Sequence, residues 1–107
     1  MEEIKVGEYI RDRAGNIAKV MKNHNNMFEI ESNTGARINQ FKELIVKHSK
    51  NIIDLIECGD YVNGQYVEKI NQYENGKFIT VLTGIIDEQD IETILTKEQY
   101  EQNSYRV

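Results

Sequence analysis

The sequence predicts a mainly β protein, a β-rich α+β fold built from two similar halves that pack together. Short runs rich in Ile, Val and Tyr alternate with turns that contain Gly and Asn, as in antiparallel strands. A five-residue motif recurs about fifty residues later. The length of 107 residues suits one compact domain or two very small ones. We place the repeats at residues 1–50 and 51–107, either as two domains or as one fused domain.

The recurring motif begins both halves. Val6-Gly7-Glu8-Tyr9-Ile10 returns as Cys58-Gly59-Asp60-Tyr61-Val62. The match continues with Ile17–Val20 against Val67–Ile70, Phe28 against Phe78, and Thr34-Gly35 against Thr83-Gly84. Because the offset changes only at turns, where chain length varies most freely, we interpret the two halves as a duplication.

The first repeat reads as a meander followed by a helix. The predicted order is a strand over 4–11, a turn at 14–16, and strands over 17–22, 27–31 and 37–40. In the run 41–48, Phe41, Leu44, Ile45 and His48 fall at helical spacing and predict a C-terminal helix. The run 52–56 fits either a fifth strand or a helix capped by Asn51 and stopped by Gly59.

The second repeat contains two hairpin signals and a helix cap. Asn63-Gly64 and Asn75-Gly76 flank a strand over 65–73, and a further strand follows over 77–83. Asn-Gly favours a type I′ turn because both residues accept positive φ. Thr96-x-x-Gln99 is a capping box that predicts a short helix through Tyr100, and residues 105–107 predict a terminal strand.

Five short strands with a helical turn before the last is the strand order of a Src-homology-3-like small barrel. The opening pattern of Gly, acid, aromatic and apolar residue, followed by a Gly-containing turn, is similar to the first hairpin of such barrels. We therefore predict two SH3-like small-barrel repeats, each with a short helix. Either half alone would bury too little apolar surface to be stable, so we expect the two to pack together.

Catalytic and metal motifs are not found in this sequence. No glycine-rich phosphate loop occurs, and His24, His48 and Cys58 are too widely spaced to predict a metal site. Cys58 takes the place of Val6 in the repeat, which favours a buried structural thiol over a nucleophile served by His48. We therefore expect no enzymatic activity, no cofactor and no bound metal.

The halves differ in the sign of their charge. Residues 1–50 carry nine Lys and Arg against seven Asp and Glu, whereas residues 51–107 carry four against eleven. The second half predicts an acidic surface that binds a host or phage protein, made of Asp54, Glu57, Asp60, Asp87, Glu88, Asp90 and Glu92. The first half offers an alternative, a nucleic-acid surface made of Tyr9, Arg11, Arg13, Lys19, Lys22, Lys42 and Lys47. The net charge of −5 makes nucleic acid the less favoured partner.

Location and self-association follow from simpler features. The sequence has no apolar run of the roughly 20 residues that a spanning helix needs, and a single Cys predicts no disulfide framework. We expect a cytoplasmic protein with no membrane association. Exposed edges of short strands would also allow self-association through strand pairing.

Two segments carry a resemblance to a known group. Residues 47–57 with 59–64, and residues 93–101 with 105–107, resemble a family of small uncharacterised proteins from clostridial phages and mobile elements. The resemblance implies a phage or mobile-element setting and supplies no catalytic motif. It suggests a noncatalytic inhibitor or modulator of a host nucleic-acid-handling or defence complex, of the anti-CRISPR or anti-restriction type. The alternatives are the small nucleic-acid-binding regulator described above and a virion structural or assembly component.

Overall fold

The computed structural model describes residues 3–32, 34–74 and 76–103. The chain divides into two compact units, one running to Leu55 and the other beginning at Ile56, a few residues later than the division expected from the repeat. Strands dominate both units, and the second also contains one short α-helix among its described residues. The predicted mainly β fold is therefore confirmed.

The first unit is a five-stranded antiparallel sheet. Its strands are β1 (Tyr9–Asp12), β2 (Ile17–Asn23), β3 (Met27–Glu31), β4 (Arg37–Phe41) and β5 (Ile45–Ser49). Their order across the sheet is β4-β3-β2-β1-β5. Alternate side chains point inward, as the period of a strand requires, and form a cluster of Ile4, Ile10, Ala18, Val20, Phe28, Ile30 and Ile45.

The helix predicted over 41–48 is wrong. Phe41 ends β4, residues 42–44 form a single 3-10 turn, and β5 follows at once. An isolated helix of two turns is marginal in water, whereas β5 gains a hydrogen-bonded ladder with β1, in which His48 stands opposite Ile10. The run 52–56, predicted as either a fifth strand or a helix, also contains a 3-10 turn, Ile52–Leu55. The structure is therefore closer to the predicted helix than to the predicted strand.

The second unit contains two three-stranded antiparallel sheets, ordered β10-β9-β8 and β11-β6-β7. The elements are β6 (Tyr61–Val62), β7 (Gln65–Tyr66), β8 (Lys69–Tyr73), β9 (Gly76–Val81), β10 (Gly84–Asp87), β11 (Ile94–Leu95) and α1 (Lys97–Asn103). The buried apolar residues of this unit include Ile56, Val62, Val67, Ile79, Val81 and Ile86.

One of the two predicted Asn-Gly turns is confirmed. Asn63 and Gly64 have φ of 52° and 78°, and Val62 pairs with Gln65 across them. The second turn is displaced by one residue, because Gly76 already belongs to β9 and stands opposite Tyr73. The link between β8 and β9 is therefore Glu74 and Asn75, and Asn75 lies outside the described residues.

The predicted capping box at α1 is confirmed. The Gln99 amide donates to Thr96 Oγ1 at 3.3 Å, and the Thr96 amide donates to Gln99 Oε1 at 3.1 Å. The helix runs to Asn103, somewhat beyond the expected end at Tyr100. The terminal strand predicted at 105–107 lies outside the described residues.

The two units follow the same chain path. Only two residues separate β7 from β8, and together these strands take the place that β2 has in the first unit. Each unit then has its first strand between its second and fifth, and a 3-10 turn precedes the fifth strand. Tyr9 and Tyr61 each begin the strand that pairs on both sides. The finer assignment to SH3-like barrels stays a prediction.

The backbone bonds around the repeated motif fix the correspondence more closely. The Gly7 amide donates to Val20 O at 2.9 Å and the Val20 amide donates to Glu8 O at 2.8 Å. In the second unit the Gly59 amide donates to Val67 O at 3.1 Å and the Val67 amide to Asp60 O at 2.8 Å. Val20 therefore corresponds to Val67 and not to Ile70, because the hairpin after Val62 is shorter than the one after Asp12.

Candidate protein-binding surface

Asp60 is not part of an exposed acidic surface. Its side chain is fully buried, with Oδ2 accepting the Glu57 amide at 2.7 Å and Oδ1 accepting the Lys97 amide at 2.9 Å. The carboxylate thus joins the turn before β6 to the first residue of α1. This corrects the sequence prediction, because an acid whose two oxygens satisfy buried amides is a structural group.

Glu8 has the same position and a similar role in the first unit. Its Oε2 accepts the Lys5 amide at 2.5 Å, and its Oε1 lies 3.0 Å from Nδ1 of His48 on β5. Burial by itself would raise the pKa of Glu8, but the hydrogen bonds from His48 and from the Lys5 amide outweigh it, so the pKa is lowered. His48 thus lies in a strand against a carboxylate, and not at the end of a helix.

Two further predicted acids are engaged within their own units. Asp54, which belongs to the first unit, accepts a hydrogen bond from Ser49 Oγ at 2.6 Å. Glu57, in the second unit, forms an ion pair with Lys97 Nζ at 2.7 Å. This hydrogen bond raises the pKa of Lys97, partly offset by burial of the amine. Both carboxylates are half-buried and offer only part of their surface to a partner.

The remaining four predicted acids form one segment, residues 87–92, which we call the acidic loop. Asp87, Asp90 and Glu92 are exposed, and Glu88 is half-buried. Asn63 fixes the backbone of this loop from the β6–β7 turn: its Nδ2 donates to Asp90 O at 2.8 Å, and its Oδ1 accepts the amides of Glu92 at 2.7 Å and Thr93 at 3.0 Å. The carboxylates therefore project from a constrained backbone.

The acidic loop begins on one face of the β8-β9-β10 sheet. The row Ile70, Ile79, Ile86 faces the core, so the next row, Asn71, Phe78, Asp87, faces outward. We call this outward-facing side of the sheet the outer face. It carries Lys69, Asn71, Tyr73, Phe78, Thr80, Ile85 and Asp87.

Three aromatic residues, Tyr61, Tyr66 and Tyr100, form a group on the β11-β6-β7 sheet and α1 that we call the tyrosine cluster. Leu95, Tyr61 and Tyr66 stand in one cross-strand row. The Tyr61 ring stacks on Tyr100 with centroids 5.0 Å apart and meets Tyr66 edge-on at 5.6 Å. Burial, and then the neighbouring Tyr100 and Tyr66, raise the pKa of the Tyr61 hydroxyl.

Arg11 does not belong to the predicted nucleic-acid surface. Its side chain is fully buried and its Nη1 donates to Leu55 O at 2.9 Å. The guanidinium therefore bonds to the last residue of the first unit and is not available to a phosphate. This is a correction of the sequence prediction.

The other predicted cations of the first unit are distributed among acids and aromatic groups. Lys19 stands opposite Glu31 and Lys22 opposite Glu29 in the β2–β3 register, and Arg37 bridges both glutamates at 3.2 and 3.3 Å. Lys42 lies 4.6 Å from the centre of the Phe28 ring. Arg13 is exposed, whereas Tyr9 and Lys47 are half-buried. The sheet thus interleaves charges of both signs and does not present a uniform basic stripe.

Cys58 is exposed, which contradicts the predicted buried thiol. Val6, the residue aligned with Cys58, is also exposed, with an exposed fraction of 58%. Both residues precede a positive-φ glycine in a turn closed by the next acid, Glu8 bonding back to Lys5 and Asp60 to Glu57. Side chains at that turn position point away from the sheet, so the small apolar residue does not indicate burial.

The described part of the chain shows neither a metal-ligand cluster nor a helix that could span a membrane. Within the ranges 3–32, 34–74 and 76–103, no group of three His, Cys, Asp or Glu side chains converges as metal ligands would. In the same part of the chain no helix has the length and apolar character needed to cross a membrane.

Comparison with protein-family models, with curated proteins and with solved structures gave no match. Sequence reasoning missed Asn63, Tyr73 and Phe78 near the acidic loop, and it also missed the contacts of Tyr66 and Tyr100 in the tyrosine cluster. A usable signal existed for Tyr66, because a two-residue turn at Asn63-Gly64 places Tyr61 opposite Tyr66. None existed for the acidic-loop contacts of Asn63, which join residues 27 to 30 positions apart.

Proposed function

We propose that this protein is a noncatalytic binding protein that engages a basic surface of a protein partner through the acidic loop. The observation that carries the proposal is the anchoring of that loop by Asn63, which constrains the backbone at the exposed carboxylates Asp90 and Glu92. Residues already ordered before association lose less conformational entropy on binding. From Ile56 onward the chain has four Lys and Arg against ten Asp and Glu, so the field around the loop attracts cationic surfaces.

The class of partner follows from charge and from the resemblance to clostridial phage proteins. Proteins that handle nucleic acids carry basic channels, and a fixed row of carboxylates can occupy such a channel in place of phosphates. A host nucleic-acid-handling or defence complex in the cytoplasm is therefore the partner we propose, with the protein acting as its inhibitor or modulator.

A nucleic-acid regulator acting through the first unit has less support. Arg11 is buried, and Lys19 and Lys22 each stand opposite a glutamate. Phosphate binding depends on a cluster of available cations. This surface alternates cations with acids, and a mobility-shift titration with duplex and single-stranded DNA should show no salt-sensitive binding.

The test is affinity capture from clostridial lysate at low salt with the whole chain as bait. The informative variant is Asp90→Asn with Glu92→Gln, and its matched control is Glu68→Gln with Glu74→Gln, which removes two exposed carboxylates of the same unit outside the loop. We expect wild type and control to retain a nucleic-acid enzyme or defence component, and the loop variant to retain about tenfold less. Recovery of no such component, or equal losses in both variants, would refute the proposal.

A second variant separates charge from order. Asn63→Gly preserves the positive φ of the turn but removes every side-chain bond to the loop. If a fixed loop matters, this variant weakens capture while the net charge of the chain is unchanged. Capture as strong as that of wild type would mean that the loop acts only as diffuse charge.

A further inference from the structure

The outer face joins an aromatic pair to the first carboxylate of the acidic loop. Tyr73 stands opposite Gly76, and its ring lies parallel to that of Phe78 with centroids 4.6 Å apart and an interplanar angle of 9°. Asp87 is the cross-strand partner of Phe78 on the other side. An aromatic pair and a carboxylate therefore lie side by side on one sheet face, with Tyr73 having an exposed fraction of 56%.

The rest of this face limits where a ligand can lie. Asn71 Nδ2 donates to Thr80 Oγ1 at 2.8 Å, so the centre is occupied by a satisfied polar pair. Lys69, the exposed cation of the face, shares its row with Thr80 and the exposed Ile85. A cationic ligand would avoid that row and lie against the outer side of the Tyr73–Phe78 ring pair, near Asp87.

These features select a planar cation. The faces of Tyr and Phe rings attract cations, and a guanidinium stacks flat on them more readily than an ammonium does. A carboxylate beside the rings can accept two parallel N–H bonds from the same guanidinium. Unstacked nucleic-acid bases also prefer aromatic platforms, but their phosphates would meet Asp87 and the acidic loop.

We propose that the outer face binds an arginine side chain of the partner, with the guanidinium stacked on the outer side of the Tyr73–Phe78 ring pair and hydrogen-bonded to Asp87. The inference rests on the proposed function, since it refines the basic partner surface into one that presents arginine next to the acidic loop. It makes recognition depend on the identity of the cation and not on charge alone.

The test uses the full chain and two probes of equal charge, octa-arginine and octa-lysine peptides, with dissociation constants measured by fluorescence anisotropy at low salt. We expect octa-arginine to bind roughly two- to fivefold more tightly than octa-lysine. Tyr73→Leu, at an exposed position, should bring the ratio of the two constants to about one without weakening octa-lysine. Tyr66→Leu, a matched change in the tyrosine cluster, should leave the ratio as in wild type. Asp87→Asn should weaken octa-arginine more than octa-lysine.

The outcomes separate this inference from the proposed function. Equal affinities of wild type for the two peptides would overturn the arginine site alone. Binding of neither peptide would overturn the acidic surface as well. If Tyr66→Leu abolished the preference for octa-arginine and Tyr73→Leu kept it, arginine recognition would lie on the tyrosine cluster. That result would refute an arginine site on the outer face. A twelve-residue oligothymidine should not bind, and binding that Tyr73→Leu abolishes would give the face to nucleic acid.

Discussion

The acid that follows the glycine of the repeated motif shows that residue type alone does not predict burial. Glu8 and Asp60 are acids, and acids are rarely buried unless they are paired. Both are buried because each accepts the amide three residues before it and a second donor from a distant element, His48 or Lys97. The short-range amide is predictable from sequence. The distant donor is not, and it decides that Asp60 is structural.

The lowered pKa of Glu8 predicts a pH-dependent contribution to stability. A carboxyl whose pKa is lower in the folded state stabilises that state above its ordinary pKa of 4.5, and this stabilisation is lost as the pH falls through the folded-state value. Glu8→Gln should lower the free energy of unfolding by about 1–2 kcal/mol at pH 7, the difference between a charge-assisted and a neutral hydrogen bond. Urea denaturation followed by circular dichroism, at pH values of about 7, 4.5 and 3, measures the free energy of unfolding of wild type and variant.

The control for this prediction is Glu3→Gln, which neutralises an exposed acid near the same turn. We expect that variant to match wild type throughout the titration. The difference in free energy of unfolding between Glu8→Gln and wild type should decrease as the pH falls below the ordinary Glu pKa. A gap of constant size would show that the substitution acts through packing and not through charge.

At the scale of elements, the local rules that succeeded involve partner groups close in sequence. The turn at Asn63-Gly64 and the cap at Thr96 involve groups within three residues of each other, so their chemistry is visible in the sequence. The helix predicted over 41–48 failed because β5 is held by β1, some forty residues earlier. An Asn75-Gly76 turn would have placed Tyr73 directly opposite Phe78. The observed register places Tyr73 opposite Gly76, and the two rings meet diagonally.

The capping box of α1 yields a prediction at this scale. Thr96 is fully buried, and Thr96→Val keeps its volume while removing the hydroxyl that accepts the Gln99 amide. We expect a loss of about 1 kcal/mol, typical of a lost N-cap. Faster hydrogen exchange of the Tyr100 amide, which bonds to Thr96 O, reports it. Thr96→Ser, which retains the hydroxyl, should exchange more slowly than Thr96→Val, and the reverse order would show that packing of the methyl group matters more than the cap.

For the whole molecule, the two units share a chain path but not a charge. To Leu55 the chain has nine Lys and Arg against eight Asp and Glu, and from Ile56 it has four against ten. The path is conferred by the glycine turn and by the paired bonds of Val20 and Val67, which involve backbone groups. Surface charge can therefore diverge between the units without altering these bonds. This explains why the motif is visible in the sequence, whereas the correspondence of the second strands is obscured by hairpins of unequal length.

If the turns are equivalent, Gly7→Ala and Gly59→Ala should have equal costs. Gly7 and Gly59 have φ of 95° and 97°, where a Cβ introduces strain of about 1–2 kcal/mol. Steric space does not limit either substitution. A Cβ at position 7 would meet nothing within 4 Å, and one at position 59 would meet only the Lys97 side chain, with Cδ at 3.6 Å and Cβ at 3.9 Å, which are ordinary contact distances.

Hydrogen exchange separates the two units in this experiment, because the Val20 and Val67 amides each report on their own turn. Each alanine should speed exchange of its own reporter by about five- to thirtyfold. Val6→Ala and Cys58→Ala change the exposed residue just before each glycine and should leave both reporters unchanged. If one glycine tolerated alanine and the other did not, the two turns would share a backbone path without sharing its energetic basis, and the duplication would not account for the stability of both units.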